Sequence, residues 1–158
     1  YTLSLYDALP ISGNIARTCA ATGCGLYLVK PLGFKVDDKH LKRAGLDYWN
    51  EVKINILDSF SMLESSFSGI PFYYATTKGE RSYAEVDYPD DVFLVFGKET
   101  AGLPEELLAK NRSHCIRIPM KEGIRSLNLA NSVAVILYEV LRQHDFKGLA
   151  IRGGLPAL

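Results

Sequence analysis

The sequence predicts a single α/β domain with a mostly parallel sheet and helices on both of its faces. Short apolar runs typical of buried strands alternate with segments whose apolar residues recur at helical spacing. The chain of 158 residues, 47% hydrophobic and 23% charged, is long enough to bury one sizeable core. Polar or glycine-containing segments follow three of the predicted strands, which is where parallel α/β sheets bind ligands.

The first half of the chain predicts the strands and helices in alternation. Leu3 and Leu5 are spaced to line one face of a first strand. A helix is expected next, because Ser12 or Asn14 can cap its start and Gly23 can end it. Further strands are predicted at residues 26–29, 52–54, 71–75, 92–96 and 116–118. Further helices are predicted at residues 37–44, at residues 57–67 and after Pro104.

The last predicted helix is the most apolar segment of the chain. Pro119 ends the preceding strand, and Ser126 or Asn128 is placed to cap the helix. Its inward positions are Leu129, Val133, Ile136, Leu137, Val140 and Leu141. A polar helix start of this kind suits an anionic or polar ligand group, and the alternative is that the polar residues only cap the helix.

Charge and cysteine content narrow the function classes. Eighteen basic residues balance eighteen acidic ones, so a whole-protein field that attracts nucleic acid is absent, although a local basic patch stays possible. Three cysteines and three scattered histidines fit neither a disulfide framework nor a zinc site. No apolar run approaches the roughly 20 residues that span a bilayer. We expect a reduced, cytoplasmic protein without a membrane segment or a metal.

Three loops after predicted strands form the candidate ligand site, at residues 76–79, 97–102 and 119–128. The second loop lacks the Gly-Lys-Ser/Thr of a P-loop and the GxGxxG dinucleotide fingerprint. Its glycines allow a ligand to approach the backbone closely, and the alternative is that they only shape turns.

Three segments in order resemble the motifs of the SPOUT-class RNA 2′-O-methyltransferases. Residues 13–17 read GNIAR, residues 96–104 read FGKETAGLP, and residues 118–132 read IPMKEGIRSLNLANS. Residues 31–34 and 43–48 add a likeness to the minimal tRNA members of that class, and so do residues 76–79. The resemblance runs from Ser12 to the C-terminus, which implies a methyltransferase domain at residues 12–158.

The resemblance implies a function and an assembly. The expected reaction is methyl transfer from S-adenosylmethionine (AdoMet) to the ribose 2′-hydroxyl of the wobble cytidine or uridine, in the anticodon stem-loop of tRNA. A homodimer and a C-terminal trefoil knot are also implied; general chain-threading rules do not predict the knot. The broad apolar arc of the last helix, which includes Ala130, Ala134 and Tyr138, is consistent with a dimer contact.

The resemblance also assigns site residues. The cofactor-binding residues are Ala75, Gly97, Ile118, Ser126 and Leu127. The catalytic residues are Arg17, Asn14 and Ser126. Ile118, Met120 and Leu127 offer an apolar slot for an adenine ring. Arg17 is better suited to stabilise a developing alkoxide than to act as a base, because a guanidinium keeps its proton in ordinary protein settings. The alternative is that Arg17 is a plain surface residue.

Residues 1–11 depart from the family pattern and resemble the peptide encoded by a sequencing-library adapter. We expect them to be a non-native segment in place of the first strand, the alternative being a genuine strand. Two other functions remain open for the whole chain. One is a knotted RNA-binding protein without turnover, and the other is an α/β enzyme that binds another nucleotide.

Overall fold

The computed structural model, which describes residues 1–6, 12–30 and 52–154, is built around a seven-stranded sheet. The strands are β1 (Thr2–Tyr6), β2 (Gly25–Val29), β3 (Ile54–Leu57), β4 (Phe72–Ala75), β5 (Arg81–Ser82), β6 (Phe93–Phe96) and β7 (Cys115–Arg117). Their order across the sheet is β3-β2-β1-β6-β4-β7-β5, and every neighbouring pair is parallel. The prediction of a mostly parallel sheet is confirmed.

Helices cover both faces of the sheet, as predicted. They are α1 (Ser12–Thr22), α2 (Phe60–Ser66), α3 (Glu105–Lys110) and α4 (Leu129–Gln143). Helices α1 and α4 pack against each other and share one core cluster with the sheet. Helices α2 and α3 contribute to a second cluster on the other face. Parallel strands joined by helices on both faces are the expected outcome of right-handed crossovers.

The central strand β1 places its residues alternately in these two layers. Leu3 and Leu5 are fully buried in the layer that contains α1 and α4, as their spacing predicts. Ser4 faces the opposite layer, where it lies in register with Val95 of β6 and Tyr27 of β2. Ser4 is also fully buried, and its hydroxyl has no hydrogen-bond partner in the part of the chain that the structure describes.

Three elements, β3, α2 and β5, differ from the prediction. The third strand runs over Ile54–Leu57 instead of residues 52–54, and α2 begins at Phe60 instead of Leu57. Leu57 has helical spacing to Phe60, but it pairs with Val29 of β2 and therefore belongs to the edge strand. Strand β5 was not predicted, because its two polar residues carry no periodic signal. The helix predicted at residues 37–44 lies outside the described residues.

Helix α4 is buried along one face and is anchored at its C-terminal end. Its seven buried residues are those of the predicted face together with Ala130. At its C-terminal end, the side-chain amide of Gln143 donates to the carbonyl of Val86 at 2.8 Å and accepts from the backbone of Tyr88 at 2.9 Å. These bonds hold the helix against the segment before β6.

No helix among the described residues has the length and apolar content to cross a membrane.

The unpartnered hydroxyl of Ser4 yields the first prediction. A buried polar group without a partner costs about 1–3 kcal/mol, so Ser4→Ala should raise the free energy of unfolding by about 1 kcal/mol. Urea denaturation followed by circular dichroism measures the change. Ser68→Ala, at an exposed turn position, is the control and should shift stability by less than about 0.5 kcal/mol. A Ser4→Ala protein less stable than wild type would contradict this account of β1.

Candidate functional site

The floor of the candidate site is a row of residues at the carboxyl ends of three adjacent strands. Ala75 of β4 lies in register between Phe96 of β6 and Ile116 of β7. The chain stays in register one residue further, since the backbone amide of Thr76 donates to the carbonyl of Ile116 at 2.9 Å. The three loops predicted to bind a ligand leave the sheet from this row and meet above it.

The loops enclose a cavity of about 680 Å³, within the usual range for small-molecule sites. Its apolar lining includes Ile118, Met120 and Leu127, the predicted adenine slot. Its polar lining comes from all three loops and from the first turns of α3 and α4. These polar residues are Thr76, Thr77, Lys78, Lys98, Glu99, Thr100, Glu105, Arg125, Ser126 and Ser132. An apolar wall facing several polar groups fits a ligand with an aromatic part and a charged part.

The second loop closes on itself as a small hairpin. The backbone amide of Lys98 donates to the carbonyl of Gly102 at 3.1 Å, and the amide of Gly102 donates back to the carbonyl of Lys98 at 2.8 Å. Gly102 has a φ of +69°, in the left-handed region that favours glycine. A Cβ at Gly97 would lie only 2.1 Å from the carbonyl carbon of Gly102. Gly97 therefore gives room to the loop's own backbone, which agrees with the alternative that the loop glycines shape turns.

Asn128 connects the second loop to α4. Its side-chain oxygen accepts from the backbone amides of Ala130 at 3.0 Å and Asn131 at 3.3 Å, so it is the N-cap of the helix. Its side-chain nitrogen donates to the carboxylate of Glu99 at 3.3 Å. Of the two predicted capping residues, Asn128 fills that role and Ser126 lines the cavity instead.

An exposed ion pair forms part of the cavity rim. Lys78 of the first loop bonds to Glu105 at the start of α3. The hydrogen bond from the Lys78 ammonium, with its charge, holds the pKa of the Glu105 carboxyl below its usual value. Because both side chains are largely exposed, the pair positions the rim more than it stabilises the fold.

The structure brings most of the predicted site residues together. All five predicted cofactor-binding residues line the cavity: Ala75, Gly97, Ile118, Ser126 and Leu127. Of the predicted catalytic residues, Ser126 lines the cavity, whereas Asn14 and Arg17 are exposed on α1 and are not among its lining residues. Asn14 lies in the first turn of α1, and its carbonyl accepts from the hydroxyl of Thr18 at 3.0 Å.

The structure adds Arg125 to the lining residues, and no pattern in the sequence singles this residue out. Arg125 lies directly before Ser126, but a loop residue has no periodicity from which the direction of its side chain can be predicted.

In the described ranges, no three histidine, cysteine or acidic side chains form a group suited to a metal ion.

The family model described as the SpoU rRNA Methylase family matches residues 12–138. The chain belongs to this family. The match contains all the strands that supply the cavity loops, together with the start of α4. The resemblance seen in the three sequence motifs is thus confirmed at the level of the family.

Similar proteins extend the comparison for this SpoU methylase. A Geobacillus stearothermophilus protein, provisionally named a tRNA (cytidine(34)-2'-O)-methyltransferase, is 51% identical over 142 residues, which cover 88% of this chain and 90% of that protein. A solved structure described as giving insight into the 2-OH methylation of C/U34 on tRNA is 43% identical, with a TM-score of 0.84, covering 92% of this chain and 97% of the other. An AdoMet-bound rRNA methyltransferase from Sinorhizobium meliloti is 27% identical, with a TM-score of 0.76, covering 89% of this chain and 55% of the other.

The packing of Gly97 in the SpoU methylase yields the second prediction. Gly97→Ala should lower the free energy of unfolding by about 1–3 kcal/mol, because the new Cβ would displace the backbone of the hairpin. Gly69→Ala is the matched control, since a Cβ there meets no atom within 4 Å. Chemical denaturation of both variants measures the difference. Equal stability of the two variants would show that the hairpin adapts without cost.

Proposed function

We propose that this protein transfers a methyl group from AdoMet to the ribose 2′-hydroxyl of nucleotide 34, the wobble position of tRNA. The observation that carries the proposal is the 51% identity with a relative named for this reaction, over nearly the whole length of both chains. The cavity supports it, because the loops that line it contain the second and third methyltransferase motifs.

The cavity fits AdoMet in size and in the chemistry of its lining. Ile118, Met120 and Leu127 would hold the adenine ring, while backbone groups of the loops read its polar edge. Ala75 and Gly97 lie where the first and second loops begin, so their backbone lies at the floor of the cavity. AdoMet as the donor is further supported by the AdoMet-bound relative from Sinorhizobium meliloti.

The chain's own task in this reaction is to hold the ribose in line with the methyl donor. AdoMet, when bound, supplies an electrophilic methyl group on a sulfonium that leaves readily. Arg17 would stabilise the negative charge that develops on the 2′-oxygen, and Asn14 and Ser126 would orient the ribose. Arg17 and Asn14 are exposed outside the cavity, which supports a role toward the RNA instead of the cofactor.

The resemblance also implies a trefoil knot, which we include in the proposal. Strand β7 lies between β4 and β5, and the connection from β6 to β7 passes across β4. This interleaved strand order at the C-terminal end supports a threaded chain. A cytoplasmic location stays a prediction.

We further propose that residues 12–158 form the methyltransferase domain and that residues 1–11 are non-native. The family match begins at residue 12, at the same boundary. The unpartnered hydroxyl of Ser4, in the centre of the sheet, supports a segment that was not selected for this position. The protein with this segment is therefore expected to bind AdoMet but to methylate tRNA weakly.

A homodimer through α4 is part of the proposal. Val135 and Tyr138 are 37% and 45% exposed, and they share a stripe of the helix with exposed Asn131 and Arg142. Light scattering at micromolar concentration should give twice the chain mass of 17.5 kDa. Tyr138→Asp should shift the mass toward one chain, because a carboxylate would be buried in the contact. A wild-type mass of one chain would contradict the dimer.

The role of Arg17 yields the next prediction. In a chain whose residues 1–11 are replaced by an apolar first strand, Arg17→Ala should lower the rate of methyl transfer to tRNA by roughly 10²–10³-fold. Calorimetry with S-adenosylhomocysteine should show almost unchanged binding. Arg17→Lys should restore little activity, since an ammonium lacks the planar fork of the guanidinium.

Exposed Arg152 provides the matched control, and Arg152→Ala should retain wild-type activity. Labelled methyl groups should map to nucleotide 34 of the tRNA. Cofactor and tRNA binding without any methyl transfer would favour an RNA-binding protein without turnover. Equal losses of cofactor affinity and activity in Arg17→Ala would reassign that residue to the cofactor site.

A further inference from the structure

The cations that line the cavity differ in whether they have partners. Three cationic side chains line it: Lys78, Lys98 and Arg125. Lys78 bonds to Glu105, and Lys98 also has an interaction partner. Within residues 1–6, 12–30 and 52–154, Arg125 makes neither a hydrogen bond nor an ion pair. An exposed, unpaired guanidinium at the mouth of a cavity is available to a ligand from solvent.

The loop around Arg125 is fixed at both sides of that residue. On one side, the amide of Ile124 donates to the carbonyl of Lys121 at 3.2 Å and closes a turn. On the other side, Asn128 holds the start of α4 through its two capping bonds. Arg125 therefore extends from a short, anchored stretch of backbone, so little backbone entropy is lost when its side chain binds a ligand.

The charges near Arg125 leave its guanidinium electrically uncompensated. The carboxylate of Glu99 accepts a hydrogen bond from the neutral amide of Asn128 and keeps its negative charge, which the adjacent Lys98 balances in formal charge. Lys121 and Glu122 are adjacent in the same loop and cancel in formal charge. One positive charge thus remains at this part of the rim, in a protein whose formal net charge is +0.

We infer that Arg125 binds an RNA phosphate adjacent to the ribose that is methylated. The inference rests on the proposed function, in which the ribose 2′-hydroxyl must reach the methyl group of AdoMet at the mouth of the cavity. The phosphates on either side of that ribose must then lie at the cavity mouth, where Arg125 is exposed. A guanidinium fork matches two phosphate oxygens at once and is the side chain best suited to this contact. With no net charge to attract RNA, the protein depends on such local contacts.

The experiment measures RNA and cofactor affinity separately in Arg125→Gln. The RNA probe is an unmethylated tRNA transcript with cytidine at position 34, in the presence of S-adenosylhomocysteine. The dissociation constant for this tRNA should rise about tenfold, and the slope of log affinity against log salt should fall by about one. The dissociation constant for S-adenosylhomocysteine, from calorimetry without RNA, should change less than about twofold.

Two further variants define the contact. Arg125→Lys keeps the charge, so it should restore the salt slope and only part of the affinity. Lys53→Gln removes an exposed cation next to the amino end of β3, at the opposite edge of the sheet, and should leave tRNA binding unchanged.

The outcomes separate this inference from the proposed function. If the chain whose residues 1–11 are replaced by an apolar first strand methylates tRNA, and Arg125→Gln in that chain binds the transcript as tightly as its parent, the inference is wrong and the function stands. If Arg125→Gln loses affinity for S-adenosylhomocysteine as much as for tRNA, Arg125 holds the cofactor and the inference is also wrong. If the chain with the replaced first strand neither binds nor methylates tRNA, the proposed function fails first.

Discussion

The parallel alignment of β6, β4 and β7 is the constraint on which the site depends. The three strands run in the same direction and stay in register. Phe96, Ala75 and Ile116 therefore lie side by side at the carboxyl ends of the strands. A loop follows each strand at this end of the sheet, so segments separated by up to about 50 residues of chain meet around one cavity. Asn128 then joins two of these loops, because one side chain caps α4 and holds Glu99. The cavity shape is therefore tied to the start of the most deeply packed helix.

Much of the fold could be predicted from the sequence because burial imposes a pattern on it. The apolar spacing of α4 gave its buried face, and the polar segments after three strands gave the location of the cavity. The edge strand β3 begins two residues and ends three residues later than predicted, because Leu57 fits both a helical pattern and a strand pattern. Strand β5 has no apolar pattern in its sequence, because it is held by main-chain pairing with β7 and not by burial of its side chains.

Within the site, sequence reasoning located the residues better than it explained them. Gly97 was correctly placed at the cavity, but its close neighbour is the backbone of Gly102, which only the folded loop reveals. The direction of Arg125 depends on how its loop is anchored, and no propensity encodes that direction. Arg17 and Asn14 come from a motif resemblance, and they are exposed on α1 outside the cavity, so the surface expected to contact RNA includes α1 as well as the cavity mouth.

The central claim is that the three loops at the carboxyl ends of β4, β6 and β7 form one cofactor pocket. Backbone amide resonances of the isotope-labelled protein, followed during titration with S-adenosylhomocysteine, test it directly. We expect saturable shifts concentrated in residues 75–79, 97–103 and 118–129. Shifts that are largest at the amino ends of the strands, or no saturable shifts in these three loops, would contradict the claim.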